Sequence, residues 1–129
     1  MAEKSKLQLE YIINCSPKVL FNRLSTASGL SEWFADDVRV KGNLFTFVWE
    51  DTEQIAEKKF HRENKNVRFE WLDDQLEKDE NYFEFIVAQD DLTNDVSLVI
   101  TDFADEDDCE STTDLWNAQI IKLKQLLGS

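Results

Sequence analysis

The order of periodicities along this chain constrains its fold more than any other feature. A strand-like start is followed by two short helical segments, then by consecutive alternating segments with no helical stretch between them, and finally by one long amphipathic helix. Parallel strands need crossover connections of roughly ten or more residues each, and the late segments have no room for them. A doubly wound parallel sheet is therefore excluded. The expectation is an α+β chain in the order β-α-α-β6-α, with a curved antiparallel sheet wrapped around the C-terminal helix.

The individual segments carry this reading. Lys6 to Asn14 alternates with Leu7, Leu9, Tyr11 and Ile13 on one face, the period of a half-buried strand. Ser16 before Pro17 gives a helix start, because the hydroxyl accepts an orphan N–H and proline at the first helical position loses no hydrogen bond. Val19, Leu20, Phe21 and Leu24 supply the apolar side of that helix. Ser28 to Phe34 predicts a second short helix with Leu30, Trp33 and Phe34 on one side. Val38 to Val40 is a strand leading into a turn at Lys41-Gly42-Asn43.

From Leu44 the alternation is strong: Phe45, Phe47 and Trp49 share one face and Leu44, Thr46 and Val48 the other, so both faces are expected to be at least partly covered. In the segment Gln54 to Arg62, Ala56 and Phe60 share a parity that also turns Lys58 inward, unless the strand bulges between them. Asn64-Lys65-Asn66 supplies a hairpin turn, and Val67, Phe69 and Trp71 alternate with Arg68 and Glu70. Phe83, Phe85 and Val87 form the inner face of Tyr82 to Gln89. Val96, Leu98 and Ile100 do the same for Asp95 to Phe103, after a turn at Leu92 to Asn94. The last helix is expected to begin near Ser111 or Thr112, with Ser111 and Asp114 as a capping box and Gly128 as its stop. Trp116, Ile120, Leu123 and Leu127 form its apolar stripe.

At 129 residues the length suits one domain over 1–129, large enough to bury roughly 65–70% of its unfolded surface. The net charge of −13 repels phosphate backbones and anionic lipid, so neither nucleic acid nor an anionic membrane is an expected partner. The acidity reads first as a solvated surface and second as a docking face for a basic protein. Met1-Ala-Glu-Lys-Ser-Lys6 is followed by no apolar h-region, and no stretch reaches the ~18 apolar residues of a membrane span, which points to the cytoplasm. Cys15 and Cys109 are too few and too far apart for a disulfide framework or a zinc site, and read as reduced thiols. The acidic run from Asp102 to Asp114 lacks the twelve-residue loop with central glycine that calcium favours, so it reads as a solvated loop whose charge suits the helix start, and no metal is expected.

The segments Ser16-Pro17-Lys-Val-Leu-Phe-Asn-Arg-Leu24 and Gly29-Leu-Ser-Glu-Trp-Phe34, the strand ending Phe69-Glu-Trp71, Val99-Ile-Thr-Asp-Phe103, and Trp116 in the final helix together resemble the START-like (Bet v 1-like, SRPBCC) helix-grip superfamily. Within it they are most similar to the heat-shock protein 90 ATPase activator homologues. Gly42-Asn43 stands where those homologues often place paired glycines, and Leu115 where glycine often precedes the helix tryptophan. The resemblance implies a cavity between sheet and C-terminal helix that takes a hydrophobic small molecule or lipid, or else a protein-interaction module that meets a chaperone.

On the residues themselves, Trp33, Phe45, Phe47, Trp49, Phe69, Trp71, Phe83, Phe85, Trp116 and Ile120 are expected to converge on the concave side, with Lys58 the one inward charge. Apolar pockets with a few polar groups are the usual form of a small-molecule site. The same rings also make a dry core and are large enough to fill the space. A cyclase or hydratase would work through an inward polar residue such as Lys58. No P-loop, nucleophile elbow or glycine-rich cradle occurs, and His61 beside Glu63 reads as an inert exposed pair, so no catalytic residue and no cofactor are assigned.

Overall fold

The computed structural model describes residues 4–50, 52–72 and 81–128. Its elements run β1 (Lys4–Ile12), α1 (Pro17–Ser25), α2 (Ala27–Leu30), β2 (Asp37–Lys41), β3 (Leu44–Trp49), β4 (Thr52–Arg62), β5 (Asn66–Trp71), β6 (Tyr82–Gln89), β7 (Val96–Asp105) and α3 (Cys109–Leu127). All seven strands form one antiparallel sheet in the order β1-β7-β6-β5-β4-β3-β2, so the chain returns its first strand to the side of its last. This is the helix-grip arrangement. No helix among the described residues is long and apolar enough to cross a membrane.

The two short helices are held by local chemistry. Ser16 Oγ accepts from Val19 N at 3.2 Å and Pro17 occupies the first turn of α1. That helix buries Leu20, Phe21 and Leu24 but leaves Val19 exposed, because Val19 lies off the stripe that meets the sheet. The second helix starts at Ala27 and not Ser28: the cap is Thr26, whose hydroxyl accepts from Gly29 N at 2.9 Å and donates to Asn22 O at 2.8 Å. Leu30, Trp33 and Phe34 are all buried, and Trp33 Nε1 donates to Arg23 O at 2.8 Å, clamping the turn after α2 onto α1.

In the sheet, Phe45, Phe47, Ala56, Val67, Phe69, Phe83, Phe85, Val87, Leu98 and Ile100 form one buried inner surface. On the other face of β3, Thr46 and Val48 are half-buried and Leu44 is exposed. The bulge allowed for in β4 is present: the register against β5 shifts between Lys58 and Phe60. Lys58 therefore stays on the inner side, with Nζ 5.4 Å from the Phe45 ring centroid, while Phe60 turns out and is 55% exposed. Arg68 covers that outer ring, its guanidinium lying 5.1 Å from Phe60 and 4.0 Å from Tyr82, with an Nη2–Oε1 contact of 3.0 Å to Glu84. His61 takes the inward parity after the bulge and packs edge-on to Phe21 with ring centroids 5.2 Å apart, while Nε2 meets Glu63 Oε2 at 2.9 Å.

Two sequence expectations fail at the C-terminus. The helix α3 begins at Cys109, after a 3₁₀ turn over Glu106–Asp108, and Ser111 makes no capping box; its hydroxyl donates to Asp108 O at 3.0 Å. Glu106, Asp107, Asp108 and Glu110 crowd the helix start, where negative charge meets the positive end of the peptide dipoles, and this makes a side-chain cap dispensable. The acidic run is also not all loop, since Asp102 to Asp105 belong to β7. The stop at Gly128 holds, at φ 70°. Trp116, Ile120 and Leu123 bury against the sheet, and Tyr11 Oη donates to Asn117 Oδ1 at 2.6 Å to tie β1 to α3.

Candidate functional site

A cleft of about 350 Å³, open to solvent on one side, lies where the start of α3 crosses the sheet. Its described lining comprises Phe34, Trp49, Thr52, Gln54, Trp71, Phe83, Asp102, Thr112, Leu115, Trp116 and Gln119. Each element delivers its residues by its own period. On α3, Thr112, Leu115, Trp116 and Gln119 step by three, one and three and so share a side. On β4, Thr52 and Gln54 continue the inward parity of the buried Ala56. On β7, Asp102 continues that of Val96, Leu98 and Ile100.

Phe34 organises the aromatic wall. Its ring stacks on Trp116 at 5.6 Å and on Phe83 at 5.3 Å, and meets Trp49 edge-on at 5.5 Å. Its carbonyl oxygen accepts from Trp49 Nε1 at 3.0 Å and from Gln119 Nε2 at 2.9 Å, so β3 and α3 are fastened through one backbone group. Trp71 completes the wall 5.0 Å from Phe83.

Asp102 is the one charged residue among the described lining residues. Its Oδ2 accepts from Trp116 Nε1 at 2.8 Å, and its Oδ1 from Phe103 N at 2.8 Å. Burial pushes its carboxyl above the usual aspartate range, and these two donors together with the Lys4 charge pull it back only in part.

The expected site residues divide between this cleft and the core. Trp49, Trp71, Phe83 and Trp116 line the cleft. Trp33, Phe45, Phe47, Phe69, Phe85 and Ile120 lie in the buried cluster, their rings interlocked at separations such as 5.1 Å for Phe45–Phe69 and 5.7 Å for Trp33–Phe85. Lys58 sits over Phe45 and not in the cleft wall. Phe34, Asp102, Thr52, Gln54, Thr112, Leu115 and Gln119 line the cleft without having been expected there from the sequence. The signal for Asp102 is its parity with Ile100, and for Gln119 its spacing of three from Trp116. Both thiols are free and half-buried, and no group of three His, Cys, Asp or Glu among the described residues could hold a metal.

The fold and this opening define a helix-grip domain with an aromatic cleft at the mouth of its core. The chain belongs to the START-like superfamily, whose domain matches residues 1–129. It is similar to a Bacteroides fragilis protein solved in solution, with 35% identity over 98% of this chain and 93% of that one and a TM-score of 0.68. It shares its fold with the Aha1 dimer from Colwellia psychrerythraea, at 16% identity, 93% coverage of each chain and a TM-score of 0.76. A Mesorhizobium loti protein, at 17% identity, 96% and 97% coverage and a TM-score of 0.76, shares it too. No curated protein matches the chain.

Proposed function

We propose that this protein is a small-molecule-binding domain that takes an apolar ligand into the cleft between its sheet and α3. The observation that carries this reading is the cleft itself: about 350 Å³ walled by Phe34, Trp49, Trp71, Phe83, Leu115 and Trp116, with a few convergent polar groups. The deeper concave face is filled by interlocked phenylalanines, so the ligand sits at the mouth and not in the centre of the core. Trp33, Phe45, Phe47, Phe69, Phe85 and Ile120 then act as its floor and frame, and Lys58, over the Phe45 ring, stands outside its wall. Native mass spectrometry of freshly purified protein tests the reading, with an apolar molecule expected to co-purify. Protein that is ligand-free and binds no aryl alcohol added to it would overturn the proposal.

A second reading, a protein-docking module for a basic partner such as a chaperone surface, draws on the fold shared with the Aha1 dimer and on the net charge of −13. It predicts binding to purified chaperone that weakens steeply with salt. Binding insensitive to salt would rule it out.

A further inference from the structure

Resting on the cleft being a ligand site, we propose that its ligand is an organic cation, an amine or quaternary ammonium carried on an apolar body, held by the Asp102 carboxylate within the aromatic wall. Three observations converge on this. Asp102 is the sole charged group among the described lining residues, and the other polar residues there, Thr52, Gln54, Thr112 and Gln119, are neutral. The remaining wall is rich in indole and phenyl rings, whose negative faces attract cations and whose low polarity strengthens that attraction. Several donors that would otherwise greet an anion are already bound: Trp116 Nε1 to Asp102, and Trp49 Nε1 and Gln119 Nε2 to Phe34 O.

The same chemistry argues against the alternatives. An anionic ligand would face Asp102 with no lysine, arginine or histidine in the described lining to offset it. A neutral hydrocarbon would leave the partly desolvated carboxylate with only Trp116 Nε1, Phe103 N and the more distant Lys4 charge, which offset its burial in part, whereas an ammonium adds a counter-charge inside the cleft. The hydrogen bond from Trp116 holds the carboxylate in place before any ligand arrives, so little ordering is left for binding to cost.

The test compares 4-phenylbutylamine, 4-phenylbutan-1-ol and 4-phenylbutyrate, which share a body and differ in charge. Binding is read by quenching of tryptophan fluorescence and by the NMR shift of the Trp116 indole N–H. The amine is expected to bind about tenfold or more tighter than the alcohol, and the acid more weakly than either. Asp102→Asn, which keeps an acceptor for Trp116, should abolish the preference for the amine over the alcohol.

Equal binding of amine and alcohol to the unsubstituted protein overturns the cation assignment and leaves the apolar cleft standing. An amine preference that survives Asp102→Asn also overturns it, because the attraction then comes from the diffuse acidic surface. If none of the three moves the Trp116 resonance, the cleft reading falls as well. Should the variant not fold, added salt decides on the unsubstituted protein: an amine preference due to the diffuse acidic surface collapses, and one due to the half-buried Asp102 carboxylate persists.

Discussion

Trp116 Nε1 donates a 2.8 Å hydrogen bond to Asp102 Oδ2, joining the last helix to the last strand at the wall of the cleft. The same indole stacks on Phe34 and meets Phe85 edge-on, with centroids 5.6 and 5.9 Å apart. Anchor and cleft wall are thus one side chain.

The two roles of Trp116 separate by substitution. Trp116→Phe keeps a ring against Phe34 but removes the donor, leaving Asp102 with one fewer partner, and is expected to cost about 1–3 kcal/mol. Trp116→Ala removes the stack as well and is expected to cost about 3–5 kcal/mol, as large-to-small core changes do. Urea denaturation of the three proteins measures both. Equal losses for the two variants would show that the ring contributes nothing beyond its N–H.

Asp102 should leave a mark on stability against pH. Its folded pKa is raised by burial, so between the unfolded and folded values the native state binds more protons than the unfolded chain. Its contribution is therefore most favourable in acid and is lost as pH rises through the raised folded value. Asp102→Asn removes this dependence. The difference in denaturation midpoint between variant and unsubstituted protein should shift in favour of the variant as pH climbs above the ordinary aspartate range. A difference that stays flat with pH would show that the carboxyl is not desolvated.

Asp102 also shows where the sequence is legible and where it is not. The succession of strands and helices along the chain, the inward set Val67, Phe69 and Trp71, and the stripe from Trp116 to Leu123 follow from period alone, whereas the pairing of β1 with β7 does not. The cleft does not stand out in the same way. Its rings are of the same type as those of the core, and whether Phe83 faces a gap or Phe85 faces a neighbour is decided by how α3 crosses the sheet. The acidic run hides Asp102 among solvated neighbours even though parity with Ile100 places it inward. The helix start is obscured because Ser111 and Asp114 have the spacing of a capping box, while the preceding acids have already begun the turn.

Gly29 is fixed by space. A Cβ there would stand 2.5 Å from Asn22 O and 2.7 Å from Arg23 Cα, both backbone atoms of α1 that have no rotamer through which to yield. Gly29→Ala is expected to push α2 off α1 and cost about 1–3 kcal/mol, as overpacking does. Gly42, at φ 63° with open space around it, offers the contrast, since alanine there meets only the left-handed backbone penalty of about 1–2 kcal/mol. Hydrogen exchange discriminates the two. Gly29→Ala should speed exchange of the Leu30 and Phe34 amides, which bond to Thr26 O and Leu30 O, and Gly42→Ala should not. Unchanged protection in both would show that α2 absorbs the methyl group.

Lys58 balances two opposed effects. A cation over a ring gains about 0.5–1 kcal/mol where solvent reaches it, and burial of the ammonium opposes that gain. Burial lowers the Lys58 pKa and the nearby Glu63 charge raises it, with the net shift downward, so desolvation prevails. The unfolded chain then binds more protons than the native state between the two pKa values, and stability rises as pH climbs through the lowered folded value. Lys58→Met keeps the apolar stem and drops the charge. At neutral pH it should be at least as stable as the unsubstituted protein, and its advantage should shrink at alkaline pH, where the lysine sheds its proton. Binding in the cleft should be unaffected, because Lys58 is not in its wall. A loss of stability at neutral pH that disappears in alkali would instead show that the attraction of the ammonium to the Phe45 ring outweighs the cost of burying it.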